Sequence, residues 1–349
     1  MGKHCCGIGL ILRGDEVSKE EVLLQFDLNS KFVSTKEYAG GLIEAINDLA
    51  PHLSAVEREE LCFNKLGLKS DNVVEKAYIQ AAVEATVCAH FARFFPENFI
   101  YEEKVNPPKD VDCSFKVEGF KFNIEVKCAD FSKKHAVDAS DGFKIGSLGR
   151  MDDYDDIVLD LGNLFSSDGH VLSRQRHMDN NLKDFLVSAH EKFTPATSNH
   201  ELNVLVVGCD DAMDMQKWYS YLYGAKGLFT VESYWDTSAY DRVDLVLLTN
   251  LYHRHKDPAS KDKLGGHWRL SEAFCILCQN PSSLKPDATF LEFSKTVRHH
   301  NNELHAHTVE GDAPDFILRG LAIPSYVATE LQAKGIDYFQ PYESKSKSD

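Results

Sequence analysis

The chain has 349 residues, 43% hydrophobic and 26% charged, which fits a globular protein of one large domain or two modest ones. A net charge of −16 excludes a generally basic nucleic-acid coat, so any nucleic-acid contact must rest on a local patch. No apolar run approaches the roughly 18 residues of a membrane span, and nine cysteines, an odd number without framework spacing, point to a reducing cytoplasm rather than secretion.

Residues 1–70 read as a mostly helical N-terminal accessory region. The opening MGKHCCGIGLILRG has a short apolar run but no small-residue cleavage site, so it is not read as a signal peptide. Cys6-Gly7-Ile8 resembles the start of class II glutamine amidotransferases. Here, however, the cysteine follows Lys3, His4 and Cys5, and a short buried strand is the simpler reading. Leu42, Ile43, Ile46 and Leu49 at helical spacing predict a helix within 37–65, with Pro51 ending its first segment. Residues 72–94 carry the best helical pattern. Asn72 and Glu75 form a capping-box-like start, and Pro96 bars continuation. The apolar stripe holds Ala77, Ala81, Cys88 and Phe91, and Glu84 falls on it. A carboxylate on a buried face is costly unless it is paired or binds metal. Residues 97–104 predict a first strand, with Glu102 and Glu103 at a solvated end.

The stretch 110–127, DVDCSFKVEGFKFNIEVK, predicts a β-hairpin. Val111, Cys113, Phe115 and Val117 alternate with polar residues, as do Phe122, Ile124 and Val126. Glu118-Gly119 is a plausible two-residue turn. If Val117 pairs with Phe120, then Asp112 faces Glu125 and Asp110 faces Lys127. Facing residues have Cβ atoms roughly 4.5–5.5 Å apart, and like charges there are destabilising. A divalent cation between the two carboxylates is one resolution, because hard cations take carboxylate ligands. Asp112 is preferred over Asp110 for this role, since it is the one that faces Glu125.

Asp112, a short hairpin and then Glu125-Val126-Lys127 resemble the core motif of the PD-(D/E)xK, or restriction-endonuclease-like, nucleases. Pro107 and Pro108 lie upstream rather than beside the aspartate. The resemblance implies an α/β core with a central mixed sheet flanked by helices, and Mg²⁺ (with Mn²⁺ able to substitute) held by Asp112, Glu125 and Glu84. It implies a catalytic set of Glu84, Asp112, Glu125 and Lys127. Duplex DNA is the implied substrate, a bacterial restriction, phage-defence or mobile-element system the implied setting, and a homodimer an implied option.

After Lys127 the sequence is polar and irregular to about residue 156. Lys133, Lys134, Lys144 and Arg150 make it the most basic loop near the motif and are candidates for phosphate contacts. Asp152, Asp153, Asp155 and Asp156 lack calcium-loop spacing and read as a solvated segment. Residues 176–193 predict an amphipathic helix, 202–210 and 243–250 two strands buried on both faces, and 213–225 a helix between them. Helix, hairpin, helix and buried strands is the order expected of the nuclease core. Strand-like pieces follow at 287–297 and 303–309, then a helix near 325–334.

Cys275-x-x-Cys278 has zinc-ligand spacing, with His299, His300, His305 and His307 downstream. A single CxxC inside the apolar AFCILC is better read as buried strand cysteines. His253 and His255 read as strand-end residues, like His305 and His307. The expected division is an accessory region at 1–70, a nuclease core at 71–255, a C-terminal extension packing on the core at 256–342, and a mobile tail at 343–349.

Overall fold

A computed structural model of the chain describes residues 35–331 apart from 69–73, 140, 148, 168–171, 175–176, 196–197, 257, 259–264 and 309. The Cys6 reading, the Asn72 half of the helix cap, the end of the 325–334 helix and the 343–349 tail lie outside the described residues.

The accessory region supplies α1 (Lys36–Leu49), capped by the Thr35 hydroxyl, which accepts from the Tyr38 N–H at 3.2 Å. Pro51 turns the chain out of α1 in a single 3₁₀ turn. Then come α2 (Ala55–Glu59), opened by a Ser54–Glu57 capping box, and a π turn over Glu60–Lys65. Next is α3 (Glu75–Phe94), which stops just short of Pro96. Its expected single stripe is wrong in detail. Ala77 is exposed, and from Tyr78 to Ala92 nearly every side chain is buried. A helix apolar on all sides lies inside a layered core rather than at its edge. Ala82, Ala85 and Ala89 keep it thin enough to pack on both α1 and the sheet.

The expected 97–104 strand shrinks to β1 (Ile100–Tyr101), because Pro96–Asn98 forms a 3₁₀ turn. The hairpin is β2 (Cys113–Val117) and β3 (Phe120–Cys128), paired Val117 to Phe120 as the turn residues imply. Glu118 and Gly119 have φ of 49° and 84°, the positive angles of a two-residue hairpin turn.

The expected irregular loop after β3 contains α4 (Ser132–Asp138) and β4 (Phe143–Ile145) and runs into α5 (Tyr154–Ser167), which β5 (Leu172–Arg174) follows. β4 and β5 form a separate parallel pair. The acid run is not simply solvated loop. Asp155 and Asp156 occupy the first turn of α5, where carboxylates suit the helix dipole. Then follow α6 (Asp179–Lys192), β6 (Glu201–Gly208), α7 (Ala212–Tyr223), β7 (Leu245–Thr249) and α8 (Leu251–His255). After these come β8 (Cys275–Gln279), α9 (Asp287–Ser294), α10 (Asn301–His307) and α11 (Asp315–Tyr326). The strand-like pieces at 287–297 and 303–309 are thus the helices α9 and α10. Their few apolar residues meet the core on one side only, with Phe293 and Leu304 buried and Leu291 exposed.

The protein is α/β. Its six-stranded mixed sheet has the order β1-β2-β3-β6-β7-β8, with β3, β6 and β7 parallel and the outer pairings antiparallel. The sheet takes its last strand from beyond residue 256. α3 lies on the face of Val126 and Gly208, where a Cβ on Gly208 would stand 3.4 Å from Val83. α6 and α7 cover the opposite face, reaching Glu125 through Lys192 and the Cys278 row through Tyr223. Burial of β6 and β7 between these layers explains their unbroken apolar runs.

Candidate functional site

The hairpin ladder runs from Val117–Phe120 to Cys113–Ile124, and Asp112 lies one residue beyond its end, on the side of Glu125 and Val126. Asp112 Oδ2 accepts a 2.6 Å hydrogen bond from the Val126 N–H, which ties its carboxylate to the far strand. Burial pushes the Asp112 carboxyl well up, and the charges of Glu84 and Glu125 push it further, against the opposing pull of Lys192 and the Val126 N–H. Asp112, just before β2, thus feels the charge of Glu84 on α3 and of Glu125 on β3. Glu84 is the only partly exposed residue in the run Ala81–Ala92. Asp110 makes no ion pair with Lys127, whose ammonium pairs instead with Glu125 at 2.7 Å.

Glu125 is fully buried. Its Oε1 lies 2.7 Å from Lys127 Nζ and 2.8 Å from Lys192 Nζ, and its Oε2 accepts from Lys192 at 3.0 Å. Neither contact at Oε1 has hydrogen-bond alignment, so that oxygen is held by charge alone. Lys192, at the end of α6, would lose its proton more readily on burial, but Glu125 and Asp112 raise it overall. Glu84 is held by Lys65 at 2.7 Å, and Lys65 also reaches Glu102 at 2.8 Å and the Tyr101 hydroxyl at 3.3 Å. Glu102 is thus not a free strand end, and Glu103 is bound to Lys121 at 3.0 Å.

Sequence reasoning missed Lys65 and Lys192. Lys65 and Lys192 lie 19 and 67 residues from their carboxylate partners, and no local spacing announces such a contact. The only signal was indirect: buried carboxylates require partners.

The residues present suit a hard divalent cation, which takes carboxylate oxygens. A cation would relieve the like-charge pressure on Asp112 and supply a partner to Glu125 Oε1. Even so, among the described residues no three His, Cys, Asp or Glu side chains are drawn together closely enough to hold a metal ion. Three ammonium groups take up the carboxylate charge.

The four basic candidates of the following loop do not gather at this cluster. Lys134 is buried at 6% exposure and lies 3.4, 3.2 and 3.8 Å from Asp210, Asp211 and Asp214. That position corrects its expected role, since an ammonium enclosed by three aspartates has no face for a phosphate. Lys133 and Lys144 are exposed, and Arg150 is bound to Asp179.

The competing constellations resolve structurally. Cys275 and Cys278 are buried on opposite faces of β8, as residues three apart on a strand must be. His253 and His255 lie on α8 rather than at a strand end. His255 joins the Tyr38 hydroxyl at 2.8 Å and the Thr86 hydroxyl at 2.9 Å, locking α1, α3 and α8 together. His305 and His307 lie on α10. Among the described residues no helix is long and apolar enough to cross a membrane. Comparison of the chain with protein-family models, curated proteins and solved structures finds no match.

Proposed function

We propose that the protein is a metal-dependent nuclease that hydrolyses phosphodiester bonds through the Asp112–Glu125 pair. The observation that carries this reading is the hairpin register, whose next step beyond Cys113–Ile124 would bring Asp112 opposite Glu125, together with the upward push that Glu84 and Glu125 exert on the Asp112 carboxyl. The order helix, hairpin, helix and buried parallel strands supports a restriction-endonuclease-like core. Asp112 and Glu125 would hold Mg²⁺ or Mn²⁺, with Glu84 bound directly or through water. The ion would supply a bound water of lowered pKa and a Lewis acid at the phosphoryl oxygens. Lys127 shares its strand face with Glu125 and would orient the attacking water or steady the charge that develops on the phosphoryl group. Lys192 and Lys65 pair with Glu125 and Glu84 and would give way to the cation. The substrate we assign is DNA, duplex for preference, cut by a cytoplasmic enzyme of a bacterial restriction, defence or mobile-element system. A homodimer would let one active site per chain cut both strands.

The test is nicking of supercoiled plasmid DNA. Wild-type protein should nick in Mg²⁺ or Mn²⁺ and not in a chelator. Glu125→Ala and Lys127→Ala should each lower the rate by about 10³-fold or more, a loss appropriate to groups that act in the transition state. An unchanged rate in either variant, or a wild type inert towards both DNA and RNA, would contradict the assignment.

One observation favours a second reading, a nuclease-fold protein that binds nucleic acid without cutting it. Glu125 already carries two ammonium partners and Glu84 one. That reading predicts DNA binding with no metal-dependent turnover.

A further inference from the structure

A second constellation lies at the other end of α6. An open cavity of about 450 Å³ is walled in part by Arg150, Tyr154, Arg174, His177, Lys226 and Tyr234. Asp179 starts α6 here and Lys192 ends it at Glu125, roughly 20 Å away at 1.5 Å per residue.

The walls stack guanidinium groups on aromatic rings. Arg150 Cζ lies 3.4 Å from the centroid of Tyr234, and Arg174 Cζ 4.6 Å from that of Tyr154. Asp179, buried at 3% exposure, anchors the group. It accepts from Arg150 Nε and pairs with His177 Nδ1 at 2.9 Å. Burial pushes the Asp179 carboxyl up, but His177 and Arg150 outweigh it and hold it at about 2. The His177 ring is therefore fixed through Nδ1, while its Nε2 is buried with no hydrogen-bond partner. A polar atom left in this state beside a cavity is satisfied by an ordered water or a bound group.

The other cations are loosely committed. Arg174 pairs with Asp155, which is 81% exposed, and Lys226 with Asp152, which is 77% exposed. Exposed pairs of this kind contribute little, because water screens them. A multivalent anion can displace both aspartates while the buried Asp179–Arg150 pair stays in place. The wall, neutral as it stands, then becomes cationic.

We propose that this cavity binds a free nucleotide, with its phosphates on Arg174 and Lys226 and its base stacked on the Arg150–Tyr234 pair. Guanidinium forks match phosphate oxygens, flat aromatic and guanidinium surfaces stack bases, and the cavity is of ligand-pocket size. The assignment uses none of Glu84, Asp112, Glu125 or Lys127 and stands apart from the nuclease reading.

The test is calorimetric titration of the full chain with ATP, GTP, CTP and UTP in turn. At least one should bind saturably, one per chain. The double variant Arg174→Ala/Lys226→Ala should weaken it at least about tenfold, the loss expected for charge-assisted hydrogen bonds. Both side chains are about half exposed with exposed partners, so the variant should keep its circular dichroism spectrum and melting temperature. Glu125→Ala should bind as wild type, whatever its effect on plasmid nicking. Three results would overturn the proposal. One is that no triphosphate saturates below about 1 mM. Another is binding indifferent to the double variant. The third is Arg174-dependent binding of a short single-stranded oligonucleotide by a chain that binds no free nucleotide.

Discussion

At the scale of single residues, the account turns on how charge is balanced around Glu125. A carboxylate with no exposed surface must have cationic partners, and it has two ammonium groups within 2.8 Å. Lys192→Met removes one of them. We expect a loss of about 1–3 kcal/mol, since Lys127 remains, and partial recovery on adding Mn²⁺. Thermal melts with and without Mn²⁺ measure both effects; a variant as stable as wild type would show that Lys192 neutralises nothing. His300 gives a pH prediction. Burial lowers its pKa from 6.5 to about 4, with the ring stacked on Phe274 at 4.4 Å. Its folded-state pKa lies below its unfolded value, so the unfolded chain takes up a proton that the folded chain refuses. The stability it contributes is fully present above pH 6.5 and is lost as pH falls towards 4. Within that window the slope should reach at most about 1.4 kcal/mol per pH unit. His300→Phe should flatten the window in urea melts at a series of pH values, and an unchanged slope would contradict the assignment. Asp112, Glu125, Lys127 and Glu84 were all legible as sequence. Alternation and a two-residue turn fix facing positions, and a carboxylate in an apolar helix stands out. Their lysine partners were not legible, because a long flexible side chain reaching across the fold leaves no periodic trace.

At the scale of elements, α3 and the hairpin are joined by an aromatic column. Phe115 of β2 stacks on Phe91 at 4.4 Å and on Phe95 at 4.7 Å, and meets Phe122 at 5.1 Å. Phe122 in turn meets Phe293 of α9 at 5.3 Å. The column fixes how α3 lies on the sheet and so where Glu84 falls relative to Asp112. Phe115→Ala should cost about 3–5 kcal/mol, as for other fully buried aromatics. Chemical denaturation checks this, and a cost below about 1 kcal/mol would mean that the column does not hold the hairpin. Elements with a long pattern or a proline stop were legible: α3, α6, β6, α7 and β7 lie where the sequence puts them. The short peripheral ones were not. α9 and α10 have eight and seven residues and bury only a few apolar side chains, too few for a helical period to stand clear of alternation. α4, β4 and the first turn of α5 were read as loop because their apolar positions are spaced by aspartates and lysines, and the sequence from 157 to 175 drew no reading. Leu159 and Leu164 of α5 remain exposed even in the folded chain.

At the scale of the whole molecule, a chain of net charge −16 concentrates its chemistry in pockets rather than on its surface. One end of α6 serves a carboxylate cluster and the other a cavity of arginines and tyrosines. The α/β class was legible because two unbroken apolar runs require a sheet covered on both faces. The layering of α1 on α3 was not, since it is built by long-range contacts such as Tyr38 to His255. The proposal to test is that Asp112 and Glu125 take a divalent cation once Lys127 and Lys192 draw back, since among the described residues no three acidic side chains are gathered to hold one as they stand. The most direct measurement is anomalous diffraction from crystals grown with Mn²⁺. The account predicts an Mn²⁺ peak bonded to carboxylate oxygens of Asp112 and Glu125, with Lys127 and Lys192 drawn back from Glu125. A map with no peak between those carboxylates, and both lysines still on Glu125 at saturating Mn²⁺, would contradict it.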